Sequence, residues 1–135
     1  MKKEEKSMKI LFAAPDRDLL ECYKKLLEAD IGQTVTAFDG TQVLTLLATE
    51  GFDILILDWK IPRVDHKTII ESANRKKIPV IVLTDERPGG RQSEEPVPNG
   101  ILSYPFTFSG IKKIILDTLD TCNIKERTGS VSEDE

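Results

Sequence analysis

Asp58 ends an unbroken apolar run, Ile54-Leu55-Ile56-Leu57, and opens the segment Trp59-Lys60-Ile61-Pro62. A carboxylate is a hard oxygen ligand and can act as a nucleophile. Its place gives that chemistry meaning. The run holds two β-branched residues and no Gly or Pro, which predicts a strand. Apolar residues on both faces predict the middle of a parallel sheet. In open parallel sheets, chemistry gathers beyond the carboxyl ends of the strands. Asp58 is therefore the first site candidate, against the plain alternative of a solvated residue at a strand end. Asp16 is the second. It follows Ala14-Pro15 after the first apolar run, and its plain role is to cap the next helix. His66, the single histidine, reads as a surface residue opening a helix. Trp59, the single tryptophan, either shields a pocket beside Asp58 or offers an aromatic ring to a partner.

These residues need elements to hold them. Met8 to Ala14 reads as a buried strand stopped by Pro15. The helix that follows is expected to turn Leu19, Cys22, Tyr23, Leu26 and Leu27 inward, and Ile31-Gly32 breaks it. Thr34 to Phe38 alternates as a second strand. Asp39-Gly40 is a capping turn, and the second helix packs through Val43, Leu44, Leu46 and Leu47. After the strand ending at Asp58, Pro62 marks a loop and Asp65 caps a third helix over 66–77, buried through Ile69, Ile70 and Ala73. Ile78 to Thr84 is the fourth strand. Residues 85–100, DERPGGRQSEEPVPNG, carry Pro and Gly throughout and Val97 as their sole aliphatic side chain, so a mobile loop is expected in place of a helix. Ile101 to Tyr104 is a fifth strand. Thr107 caps a last helix that runs to about Asn123 through Phe108, Ile111, Ile114, Ile115 and Leu119.

Alternating strands and helices with right-handed crossovers predict a doubly wound α/β fold. A five-stranded parallel sheet of this length is expected in the order 2-1-3-4-5, with the fourth helix degraded to a loop. That order sets the Ala14–Asp16 loop beside Asp58. The expected organisation is a flexible N-terminus over 1–7, one domain over 8–123, and a disordered tail over 124–135.

The 135 residues are 39% hydrophobic and 31% charged, with net charge −4, as in a soluble domain that can build its own core. Arg75-Lys76-Lys77 is the longest basic run and suits a helix C-terminus, so no nucleic-acid surface is expected. The start of the chain lacks a signal peptide's apolar stretch, and no apolar run is long enough for a membrane span. Cys22 and Cys122 read as small buried apolar residues, so a reduced, cytoplasmic protein is expected.

Asp58-Trp-Lys-Ile-Pro62-Arg-Val-Asp65 resembles the D-x-x-x-P-G-x-D-G run of the receiver domains of two-component response regulators, the CheY-like family. Phe38-Asp39-Gly40 resembles the family's second strand and D-G turn, and Pro105-Phe106 its K-P-F. The resemblance covers residue 8 to about 123. It implies that Asp58 stands at the phosphoacceptor position and that Thr84 contacts phosphoryl oxygens. It also implies signalling without catalysis, with no catalytic residue of an enzyme. The departures are as specific. The family's acidic pair, which holds Mg²⁺, is replaced by Ala14 and Pro15, with Asp16 one place on. The family's lysine is Tyr104, its aromatic switch residue is Ile101, and two of its glycines are Arg63 and His66.

Phosphoryl transfer to a carboxylate brings two anions together and needs a cation between them. Mg²⁺ demands a near-octahedral oxygen cage. Only Asp58, a backbone carbonyl near Lys60, and Asp16 remain as candidate ligands. Tyr104 can donate a hydrogen bond to a phosphoryl group but brings no charge. The resulting expectation is an atypical, stand-alone receiver without a bound cofactor. It would act through a protein partner, a histidine kinase or an output protein. The alternative is a working phosphoacceptor, with Asp58 modified and Asp16 as metal ligand. A flavin carrier of the same topology would need a Gly- or hydroxyl-rich cradle, which residues 13–18 lack.

Overall fold

β3 (Ile54–Asp58) is buried at every position and has a parallel neighbour on each side. The computed structural model describes residues 8–84, 98–104 and 106–120. Expectations for 1–7, for 85–97 of the β4–β5 crossover, for Pro105, for Cys122 and for the tail lie outside them. In chain order the elements are β1 (Met8–Ala13), α1 (Arg17–Asp30), β2 (Gly32–Ala37), α2 (Gly40–Thr49), β3, α3 (His66–Arg75), β4 (Val80–Thr84) and β5 (Gly100–Ser103). A helix over 108–120, α4, follows. The sheet is five-stranded and parallel in the order β2-β1-β3-β4-β5, as the alternation of elements predicts.

The continuous apolar runs are explained by what covers them. Leu55, Leu57, Val80 and Val82 face a core closed by α2 and α3 through Val43, Leu47, Ile69, Ile70 and Ala73. Ile54, Ile56, Ile81 and Leu83 face a second core closed by α1 and α4 through Leu20, Leu27, Ile111 and Ile115. A strand alternates its side chains, so a sheet covered on both faces needs apolar residues at successive positions.

The boundaries differ in detail. β2 begins at Gly32, which was expected to act only as a helix breaker. Gly32 pairs with Met8, and a Cβ there would collide with the Met8 carbonyl oxygen. On α1, Leu27 is buried and Leu19 and Tyr23 pack partly buried on the core as expected. Leu20 and Leu27 are its buried residues, and Leu26 is exposed. Cys22 is exposed, which corrects its reading as a buried residue. Two positions beyond Leu20 on a helix is about 200° around the axis, away from the core.

Candidate functional site

The site begins with the end of β3. Asp58 keeps only 5% of its surface exposed, so the solvated strand end is not what forms. Its Oδ1 accepts the Lys60 backbone N–H at 2.8 Å, and its carbonyl accepts the Ile61 N–H at 3.1 Å. Together these make an Asx-type turn, the local reason an aspartate suits this corner. Its Oδ2 accepts the Tyr104 hydroxyl at 2.5 Å. Both carboxylate oxygens therefore have donors, as a buried anion requires.

Tyr104 reaches Asp58 because β5 lies beside β4. The Tyr104 N–H donates to the Thr84 carbonyl at 2.8 Å, extending the ladder one step beyond Thr84↔Ser103. Thr84 is buried at the end of β4, next to Leu83, the residue paired with Asp58. The Tyr104 ring lies against Phe106 with centroids 4.6 Å apart, and Phe106 lies 5.9 Å from Tyr23 of α1. Tyr23 in turn stacks on Phe12 of β1 at 5.8 Å. Burial is the first cause that raises the Tyr104 hydroxyl pKa well above the ordinary tyrosine value, and the hydrogen bond and charge of Asp58 add to it. The phenol is thus a neutral donor across the physiological range.

Across β3 the opposite wall is a methyl group. β1 and β3 pair through Ala13↔Leu57, so Ala14 stands one step on beside Asp58. Ala14 is fully buried in the same core as Ile56, the face that Asp58 shares by alternation. Pro15 follows as an exposed residue with no side-chain donor or acceptor.

Asp16 serves α1. It has extended N-cap geometry, and its Oδ1 accepts the Asp18 and Leu19 backbone N–H groups at 3.0 and 3.2 Å. It follows Ala14 and Pro15 in the loop after β1, at the same end of the sheet as Asp58. Among the described residues, no group of three or more His, Cys, Asp or Glu side chains could hold a metal ion.

The loop after Asp58 is fixed by neighbouring turns. Gly40 donates its N–H to the Pro62 carbonyl at 2.9 Å, and a Cβ on Gly40 would lie 2.5 Å from Val64 Cβ. The Asp39-Gly40 turn is therefore a docking surface for the β3–α3 loop as well as a cap. Arg63 has φ 82°, a left-handed conformation that favours glycine, at the first glycine position of the run quoted above. Trp59 is half-buried against the α2–α3 core and packs on His66 with centroids 3.4 Å apart. The Trp59 ring is thus a wall of the loop, and His66, with 25% of its side chain exposed, is its cover.

The structure brings Asp58, Thr84 and Tyr104 to one corner, with Asp16 at the same end of the sheet and Ala14 as its wall. Sequence reasoning left the Tyr104–Asp58 bond unrecognised. The signal available for it was the position of Tyr104 at the end of the strand two places over from Asp58.

No family profile matches the chain. The chemotaxis protein CheY of Pseudomonas aeruginosa is 31% identical over 124 residues, spanning 86% of this chain and 99% of that protein. The solved chemotaxis response regulator CheY4 of Vibrio cholerae superposes with a TM-score of 0.76 at 21% identity, over 84% of this chain and 99% of that one. The receiver domain of the sensor histidine kinase PA1611 of Pseudomonas aeruginosa superposes with a TM-score of 0.75 at 16% identity, over 85% of this chain and 99% of that one. That domain was solved with a magnesium ion coordinated in its active-site cleft. Near-complete coverage of a relative above 30% identity, together with the sheet order and the aspartate closing β3, places the chain in a family: it belongs to the CheY-like receiver domains of two-component response regulators.

Proposed function

We propose that this receiver domain signals by protein–protein contact without an efficient Mg²⁺-dependent phosphorylation switch. One observation carries the reading: Asp58 sits in a corner whose β1 wall is Ala14 and Pro15, while the nearby carboxylate of Asp16 is engaged as a helix cap. An octahedral ion needs several oxygens around one point, and this corner supplies a single carboxylate whose two oxygens already accept hydrogen bonds. The residues present do not fit the magnesium that the related kinase receiver domain binds. The positive charge of a lysine is also missing, because Tyr104 stands there as a neutral phenol. Losing both should cost several kcal/mol of charge stabilisation, on the order of a thousandfold or more in rate.

The reading makes the chain a cytoplasmic signalling module whose partner is a histidine kinase or an output protein. Thr84 and Tyr104 keep the phosphoryl-facing positions, and Asp58 keeps the acceptor position, as elements of the scaffold. Incubation with acetyl phosphate and Mg²⁺, followed by intact-mass measurement, tests it. The expected result is no phosphoryl adduct on a timescale of minutes. A rapid gain of one phosphoryl group that disappears in Asp58→Asn would establish the alternative, a working phosphoacceptor with Asp16 as metal ligand.

A further inference from the structure

We propose that Tyr104 is a lock on Asp58: its hydroxyl, seated on Oδ2 and held by an aromatic stack, closes the acceptor oxygen to electrophiles independently of the lost acidic pair. The inference deepens the reading above and rests on Asp58 as a retained acceptor position.

Replacing an acidic pair by Ala14 and Pro15 removes metal ligands, but by itself leaves a carboxylate open to attack something. The contact from Tyr104 is a separate event. Asp58 is 5% exposed, and its Oδ2 accepts the hydrogen bond donated by the Tyr104 hydroxyl at 2.5 Å. Hydrogen bonds to an ionised group are strong, and a buried setting strengthens them. An oxygen that has given its lone pair to a phenol is a weaker nucleophile until that phenol leaves. A lysine at this position would bring charge to an incoming anion. A tyrosine brings only a hydrogen bond, which it has already given to Asp58.

The phenol is also pinned from behind. The Tyr104 backbone N–H is tied to the Thr84 carbonyl at 2.8 Å. Its ring lies 4.6 Å from Phe106, and Phe106 lies against Tyr23 of α1. Swinging the hydroxyl off Asp58 therefore means breaking a charge-assisted hydrogen bond and shifting a ring out of an aromatic cluster that reaches α1. Tyr104 is a positioning residue in this account: it acts through Asp58.

The test uses the full chain and a reagent that needs neither metal nor phosphate. A water-soluble carbodiimide adds to a carboxylate oxygen, and glycinamide then displaces the urea to leave an amide that peptide mass mapping assigns to one residue. Labelling of Asp58 is compared between the unaltered chain and Tyr104→Phe, with Asp58→Asn as blank and exposed Asp18 as internal standard. Loss of a hydrogen bond to a charged group predicts labelling of Asp58 about tenfold to a hundredfold faster in Tyr104→Phe, with Asp18 unchanged. If Tyr104→Phe does not fold, Tyr104→Leu takes its place with the same expectation. Equal labelling, no labelling in either chain, or a rise at every carboxylate would overturn the lock. Rapid phosphorylation of Asp58 in the unaltered chain would overturn both the proposed function and the lock, whereas equal labelling without phosphorylation would overturn the lock alone.

Discussion

At the scale of single residues, Asp58 and Tyr104 form a hydrogen-bonded pair. The carboxylate gains a donor in a place that water barely reaches, and the phenol keeps its proton first because it is buried and then because of the hydrogen bond and charge of Asp58. This gives a pH dependence with a definite sign. Tyr104 is protonated in the folded chain above the pH at which an exposed tyrosine ionises, about 10. Once pH exceeds that ordinary value, the unfolded chain binds fewer protons than the folded one, so stability falls as pH rises further. Below it, the contribution of Tyr104 is fully present. Tyrosine absorbance followed together with circular dichroism should show Tyr104 ionising late, alongside loss of structure. In Asp58→Asn it should ionise at lower pH. Identical titrations in the two chains would contradict the pairing. The aspartate was legible in the sequence because an apolar run ends on it. The bond was not, because its partner lies 46 residues away and the pairing depends on strand order and on where β5 ends.

At the scale of elements, Asp16 and Gly40 have structural tasks that local chemistry explains. Asp16 takes two of the donors that α1 would otherwise leave unpaired. Asp16→Ala should cost about 0.5–2 kcal/mol in chemical unfolding, and Asp16→Asn much less, because asparagine caps as well as aspartate. A large loss in Asp16→Asn would mean that the charge has a task beyond the cap. Gly40 marks where α2 meets the β3–α3 loop, and Gly40→Ala should cost about 1–3 kcal/mol because the stiff Val64 side chain blocks the new methyl. An unchanged melting temperature would show that the loop gives way freely. The caps were readable from Asp16, Asp39, Asp65 and Thr107, whose side chains accept from the first turns of their helices. The edges of the α1 face were not: Leu19, Tyr23 and Leu27 pack inward as expected, but Cys22 and Leu26 do not. Leu19, Leu20, Cys22, Tyr23, Leu26 and Leu27 leave several stripes open, and packing against β1 and α4 selects the one through Leu20 and Leu27. Hence Cys22 lies outside.

At the scale of the whole molecule, the sheet order followed from alternation, chain length and the handedness of crossovers, because few topologies satisfy all three. The two cores then follow from runs with no polar side, such as Ile54 to Leu57. The fold does not report the chemistry. The magnesium-bound receiver domain of PA1611 and this chain share an architecture, and at the strand ends around Asp58 this chain carries Ala14 after β1, Arg63 in the loop after β3 and Tyr104 after β5. Most of both cores lies away from that corner, so the sheet can persist while the chemistry of its strand ends varies.

Amide NMR of the full chain, titrated with Mg²⁺ and then beryllofluoride, tests the absence of a cation-held phosphoryl site most directly. The account predicts that the signals of Asp58, Trp59, Thr84 and Tyr104 stay in place through both additions. Saturable shifts at those residues together with Asp16 would contradict it.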